Sequence, residues 1–184
     1  DFQKAIYDEE NMKLYLPGGQ ADTSKLYNSL VKMFEYYTKC DEVEQAKVKS
    51  GELKKPKLRK KLSKTLATLT PLIACYAALA ANSLNDKDAV VKYATVGKSH
   101  KEEGYRALMC LAEAYGKGEN PDSTQWLATI KEGTERFPSQ EYFIGNLMDY
   151  YIQKGRIDDG LTEIDQVLAK NETPYFLYVK GVLQ

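Results

Sequence analysis

Residues 141–174 read EYFIGNLMDYYIQKGRIDDGLTEIDQVLAKNETP, and the pattern within them decides the fold. Ile144, Leu147, Met148 and Tyr151 fall at i, i+3, i+4 and i+7, which is one face of an α-helix. Ile157, Leu161, Ile164 and Leu168 repeat that helical spacing after Gly155, a residue free to take the left-handed conformation in which helices commonly end. The stretch is therefore a helical hairpin with one apolar stripe on each arm. A hairpin of this size cannot cover both stripes by itself, so neighbours of the same kind are expected to stack on it.

Such neighbours are present upstream. Ile73, Tyr76, Ala77 and Ala80 carry the same frame, and 34 residues later it returns as Ala107, Cys110, Leu111 and Ala114. A further 37 residues bring it to Ile144, and the extra length is assigned to the turn Gly118-Glu119-Asn120-Pro121-Asp122, where insertions cost little. Ala89, Val90, Tyr93 and Val96 supply the second arm of the first unit. Trp126, Leu127 and Ile130 supply that of the middle one, which ends at Phe137-Pro138. After Pro174, the residues Tyr178, Gly181, Val182 and Leu183 begin another first arm.

Ahead of these units the reading is less regular. Phe2, Ala5, Ile6, Met12 and Leu14 mark a short helix closed by Pro17-Gly18-Gly19, and Asp22 or Thr23 can cap the next helix. Leu26, Tyr27, Leu30, Val31, Phe34 and Tyr37 then predict a helix to about Cys40. Residues Lys47 to Lys64 hold nine basic residues against the single acid Glu52, and Gly51 and Pro56 mark the first half of that segment as a loop. Without interleaved aromatics it reads as a solvated face more readily than as a phosphate site. Helical character resumes at Leu58 and runs to about Leu84; Pro71 either kinks this helix or starts a new one, the second choice matching the frame at Ile144.

Composition supports an all-α chain, with six prolines and twelve glycines in 184 residues. The 26 Lys+Arg offset the 26 Asp+Glu, so no net field draws the chain to nucleic acid. No apolar run reaches the ~18 residues of a membrane helix, and no membrane insertion is expected. Cys40, Cys75 and Cys110 have neither disulfide-framework nor metal-site spacing and read as small apolar residues. The start at Asp1 suggests a processed or trimmed product.

Catalytic constellations are sparse. His100, the single histidine, lies in the polar turn Gly97-Lys98-Ser99-His100-Lys101 and is expected to be exposed, with no second ligand at helical spacing. Asp86, Asp88, Asp158 and Asp159 sit at helix starts, where carboxylates favour the macrodipole. Asn171-Glu172-Thr173 fits a glycosylation tripeptide as well as it fits a turn. No catalytic residue, metal ligand or cofactor is assigned.

With Gly155 at its turn, Ala77, Ala89 and Tyr93 in the first unit and Pro138 closing the middle one, the chain resembles the tetratricopeptide repeat family. Met148 and Leu111 depart from that pattern where a small residue is usual, and Gly160 and Trp126 where alanine is, which implies looser packing there. The resemblance implies an α-α superhelix, a right-handed solenoid of antiparallel helix pairs. Residues 1–69 would form an N-terminal part with a Lys-rich loop, and residues 70–184 repeats at 70–103, 104–140 and 141–174 with a partial one at 175–184. The layout of residues 22–64, with Lys55-Pro56-Lys57 in the loop, is similar to the front of some bacterial cell-envelope repeat proteins and implies a periplasmic or envelope location.

In this family the first helices line a concave face that binds protein segments. Mapped here, the face holds Tyr105, Leu108 and Tyr115 from the middle unit, and Tyr142, Asp149 and Gln153 from the third. Where members that grip a peptide carboxylate place Lys or Asn, this chain has Ala74, Leu108 and Gly145, so no carboxylate clamp is expected. The leading expectation is a non-enzymatic scaffold that takes a protein or peptide partner in a tyrosine-containing groove. Two alternatives stand beside it: a small-molecule or enzymatic pocket between the N-terminal helices and the repeats, and self-assembly through the C-terminal end, where Tyr178, Val182 and Leu183 lack a covering helix.

Overall fold

The computed structural model describes residues 22–52, 57–117, 120–169 and 172–183, and for residues 57–66 the backbone alone. Eight α-helices and no strand occur among the described residues: α1 Thr23–Lys49, α2 Lys57–Ser83, α3 Lys87–Gly97, α4 Gly104–Gly116, α5 Ser123–Arg136, α6 Glu141–Gln153, α7 Ile157–Leu168 and α8 Pro174–Leu183. The all-α expectation therefore holds. The short helix expected over residues 1–16, the Pro17-Gly18-Gly19 break, Pro56, the side chains of the basic segment beyond Glu52, Gly118-Glu119 and Asn171 lie outside the described residues. Contacts divide the chain into residues 1–107 and 108–184, which are taken in turn.

In the first unit Asp22 caps α1, its carboxylate accepting the Lys25 N–H at 3.0 Å. Tyr27, Leu30 and Phe34 succeed one another at i, i+3 and i+7. Leu30 is buried, and the two rings stand edge-on to Tyr93 of α3, with centroids 6.1 and 5.3 Å away. The helix runs nine residues past the Cys40 end expected from its stripe, because nothing breaks it before Gly51, and this extension leaves Val43 and Val48 exposed. Helix α2 packs against both α1 and α3. Its buried side is mostly alanine (Ala74, Ala77, Ala78, Ala80, Ala81), and small side chains let neighbouring backbones approach.

Two readings are corrected in this unit. Pro71 does not start a helix: it lies inside α2, which is continuous from Lys57 to Ser83. The hydrogen bond it cannot donate would go to the carbonyl of Ala67, an exposed position where water can replace it. His100 is not an exposed turn residue: it is 9% exposed, and its Nδ1 accepts the N–H of Glu103 at 3.0 Å, so it serves the backbone where α4 begins. Spacing alone saw only the polarity of its neighbours.

The second unit buries Phe143, Ile144, Leu147, Met148 and Tyr151 of α6 against flanking helices, with Ile130 from α5, Ile164 from α7 and Phe176 from α8. Gly133 gives Phe143 its place; a Cβ there would lie 2.2 Å from the ring. Gly160 is buried with Tyr151 Cβ and Leu183 Cδ1 at 3.3 and 3.6 Å from where its own Cβ would be, so the looser packing expected there is not found. Leu183 is itself buried, contrary to the uncovered end read from the sequence, whereas Tyr178 and Val182 are exposed.

Three hairpin turns close with the same kind of backbone bond. Asp86 N–H reaches the Ala81 carbonyl at 3.1 Å and Arg156 N–H the Tyr151 carbonyl at 2.8 Å, each around one left-handed residue, Asn85 at φ 58° and Gly155 at φ 65°. In the middle turn Asp122 N–H reaches the Tyr115 carbonyl at 2.9 Å across two more residues. Asp86 and Asp122 then cap α3 and α5, accepting the N–H of Ala89 and Gln125.

Candidate partner-binding face

The buried pairs on the first helix of each hairpin set the register of everything that points away from the core. Ile73-Ala74, Ala107-Leu108 and Phe143-Ile144 are buried, each pair succeeded four residues on by a second, Ala77-Ala78, Leu111-Ala112 and Leu147-Met148. Residues 73, 107 and 143 are spaced by 34 and 36, while the frame Ala107, Cys110, Leu111, Ala114 and its counterpart Ile144, Leu147, Met148, Tyr151 are also buried throughout at the 37-residue step, so burial fits either register. A one-residue slip turns a helix by about 100° and exchanges wall for core.

Burial changes the predicted face. Leu108 is 0% exposed and belongs to the core, which corrects its assignment as a partner contact. Tyr115 is half-buried, and its carbonyl closes the middle turn. Tyr105 is half-buried in the first unit, with the Arg106 guanidinium 5.0 Å from its ring centre. Asp149 and Gln153 are exposed on α6, and Tyr142 is half-buried on the same helix. Tyr142 and Asp149 thus share one helix of the second unit, whereas Tyr105 belongs to the other unit.

The row that does face outward in the second unit is built from two helices that pack side by side. On α6 it is Tyr142, Gly145, Asp149 and Ile152, at i, i+3, i+7 and i+10; on α8 it is Tyr175, Tyr178 and Val182, at i, i+3 and i+7. Gly145 seats the pair: a Cβ on it would lie 2.9 Å from the Tyr175 hydroxyl, so the absence of a side chain lets that ring lie over α6. Asn146 donates to the Tyr142 carbonyl at 2.8 Å, and the Tyr142 ring stands edge-on to Phe143 at 5.3 Å.

Electrostatically the row is acidic. Burial pushes the Tyr142 hydroxyl up to about 12, and the neighbouring Glu113 and Cys110 of α4 add to it. The Tyr175 hydroxyl is likewise raised, first by burial, then by Glu141, Asp149 and Tyr178. Glu113, Glu141, Tyr175 and Tyr178 were not among the expected contacts. Shifting the middle and third units into a 36-residue register would have exposed Glu113; Tyr175 needed the packing of α8 on α6.

A second polar cluster lies on α5 and α7. Lys131 Nζ is 2.5 Å from Glu163 Oε1, the Tyr151 hydroxyl donates to the same oxygen at 3.1 Å, and the hydrogen bond to Glu163 raises the Lys131 pKa. Lys131 and Glu163 border a cavity of about 290 Å³ with Thr134, Glu135, Pro138 and Gln166. Lys131 and Glu163 satisfy each other, and the arrangement ties two helices together.

Compared with protein-family models, curated proteins and solved structures, the chain matches none. Among the described residues no cluster of three or more His, Cys, Asp or Glu has metal-site geometry, and no helix is long and apolar enough to cross a membrane.

Proposed function

We propose that the chain is a non-catalytic scaffold of helical hairpins, stacked in the tetratricopeptide manner as a right-handed superhelix, that holds a segment of a partner protein on the first helices of residues 108–184. One observation carries this reading. The outward row combines Ile152, Tyr178 and Val182, 42%, 68% and 58% exposed, with the half-buried Tyr142 and Tyr175 on adjacent helices. Exposed apolar chains occurring singly need no explanation, but a row at helical spacing on two neighbouring helices is what a bound segment would cover. Covering each fully would contribute about 1.5–3 kcal/mol before the cost of association.

Site-specific photo-crosslinking tests it. A benzophenone amino acid in place of Tyr178, irradiated in the native host, should yield one discrete adduct whose crosslinked peptide maps to a single partner segment. The same amino acid in place of Glu135, exposed on α5, should not yield it. No adduct at 178, or the same products at both positions, would overturn the reading.

A further inference from the structure

The row on α6 and α8 is an uncovered helix face, and its charge says what kind of segment suits it. Glu141 and Asp149 flank Tyr175, and neither forms an ion pair among the described residues. Lysines on or next to these helices are engaged elsewhere. Lys180 reaches Asp165 at 2.6 Å, Lys117 reaches Glu113 at 2.8 Å, and Lys154 sits 5.9 Å from the centre of the Tyr150 ring. Among the described residues the face therefore offers carboxylates and tyrosine rings next to apolar side chains, without a free cation between them.

We infer that this face takes a cationic segment of the partner protein, in which Lys or Arg alternates with apolar residues; the inference rests on the scaffold reading above. An ammonium or guanidinium stacks on a tyrosine ring through the ring's negative face, and a carboxylate alongside strengthens the contact. Tyr178 presents its ring to solvent, and Asp149 stands on the same side of α6 as Tyr142. Apolar residues of the segment then cover Ile152 and Val182. An acidic segment would meet Glu141 and Asp149 with like charge and lose the stacking. The whole chain is neutral, so selectivity comes from this patch and not from a long-range field.

Fluorescence anisotropy with the full chain tests the inference with two labelled peptides of equal length, one alternating Lys with Leu and one alternating Glu with Leu. The Lys peptide should bind and the Glu peptide should not. Binding should weaken by about tenfold or more at high salt and in the double variant Glu141→Lys/Asp149→Lys, with Glu135→Lys unchanged. Circular dichroism confirms that each variant is folded. Equal binding of both peptides, no binding of the Lys peptide, or indifference to the double charge reversal would overturn the inference. A crosslink at position 178 to an acidic segment would overturn it while leaving the scaffold reading intact; no crosslink at all would remove both.

Discussion

The thiol of Cys75 donates to the carbonyl oxygen of Gly97 at 3.0 Å, and a Cβ built on Gly97 would lie 2.7 Å from the backbone nitrogen of Cys75. The end of α3 thus touches the backbone of α2 itself, an approach only glycine permits. Gly97→Ala must push backbone from backbone and is expected to cost about 1–3 kcal/mol. Gly133→Ala meets the fully buried ring of Phe143 and should cost a similar amount. Thermal melts monitored by circular dichroism should show both below wild type; an unchanged midpoint for Gly97→Ala would contradict the close approach.

Gly145→Ala should behave in the opposite way. Its Cβ meets only the hydroxyl end of Tyr175, which can swing aside, and alanine in a helix interior is favoured over glycine by about 1 kcal/mol. The melting midpoint should stay level or rise while the Tyr175 ring leaves α6. Quenching of tyrosine fluorescence by acrylamide should increase, and binding at the face should change without loss of fold.

Asn85 and Gly155 perform the same task in two hairpins, each left-handed at the end of a first helix. Alanine at either position is expected to cost about 1–2 kcal/mol, since a Cβ disfavours that conformation. Asn85→Gly should be tolerated. Urea midpoints of the three variants check this, and an Asn85→Ala protein as stable as wild type would speak against the turn geometry.

Burial decides how the thiols and phenols titrate. Cys110 is pushed up from 9.0 to about 12 by desolvation, with Glu113 adding to it, and Tyr27 and Tyr142 are pushed from 10.0 to about 12, again mainly by desolvation. Each folded-state pKa lies above its unfolded value, so the unfolded chain releases these protons first and the folded state loses ground as pH rises. Stability from these groups is complete below about pH 9 and should decline from there toward pH 12. The urea midpoint should therefore be lower at about pH 11 than at neutral pH. In the folded protein iodoacetamide should label the half-buried Cys40 ahead of the buried Cys75 and Cys110, which should react only on unfolding.

Exchange of the Lys131–Glu163 pair should have little effect. Both groups reach solvent, so the pair is expected to contribute about 1 kcal/mol or less. A double-mutant cycle with Lys131→Met and Glu163→Gln measures it. A coupling several times larger would mean that the cluster does more than tie α5 to α7.

Local chemistry carried much of the architecture. The stripe on α6, the left-handed Gly155 and the Asp caps at residues 22 and 86 act within a turn of their own helix, so residue spacing was enough to read them. Pro71 and His100 misled for a shared reason. Each was judged by its neighbours in the chain, whereas the exposure of Ala67 and the backbone N–H of Glu103 determined what each one does.

The candidate face was legible only in part. Tyr142 and Asp149 could be named because both sit seven residues apart on a single helix. Leu108 could not be separated from its neighbours, since one residue of register distinguishes a core position from a wall position and composition does not mark which is which.

Helix content, hairpin turns and the neutrality of the chain come from periodicity, turn residues and counted charges, all of which are properties of short segments. Which carboxylates stand beside Tyr175 waited on the packing of α8 over Gly145. That contact joins residues thirty positions apart (145 and 175), and side-chain size at one of them, not any local preference, decides it.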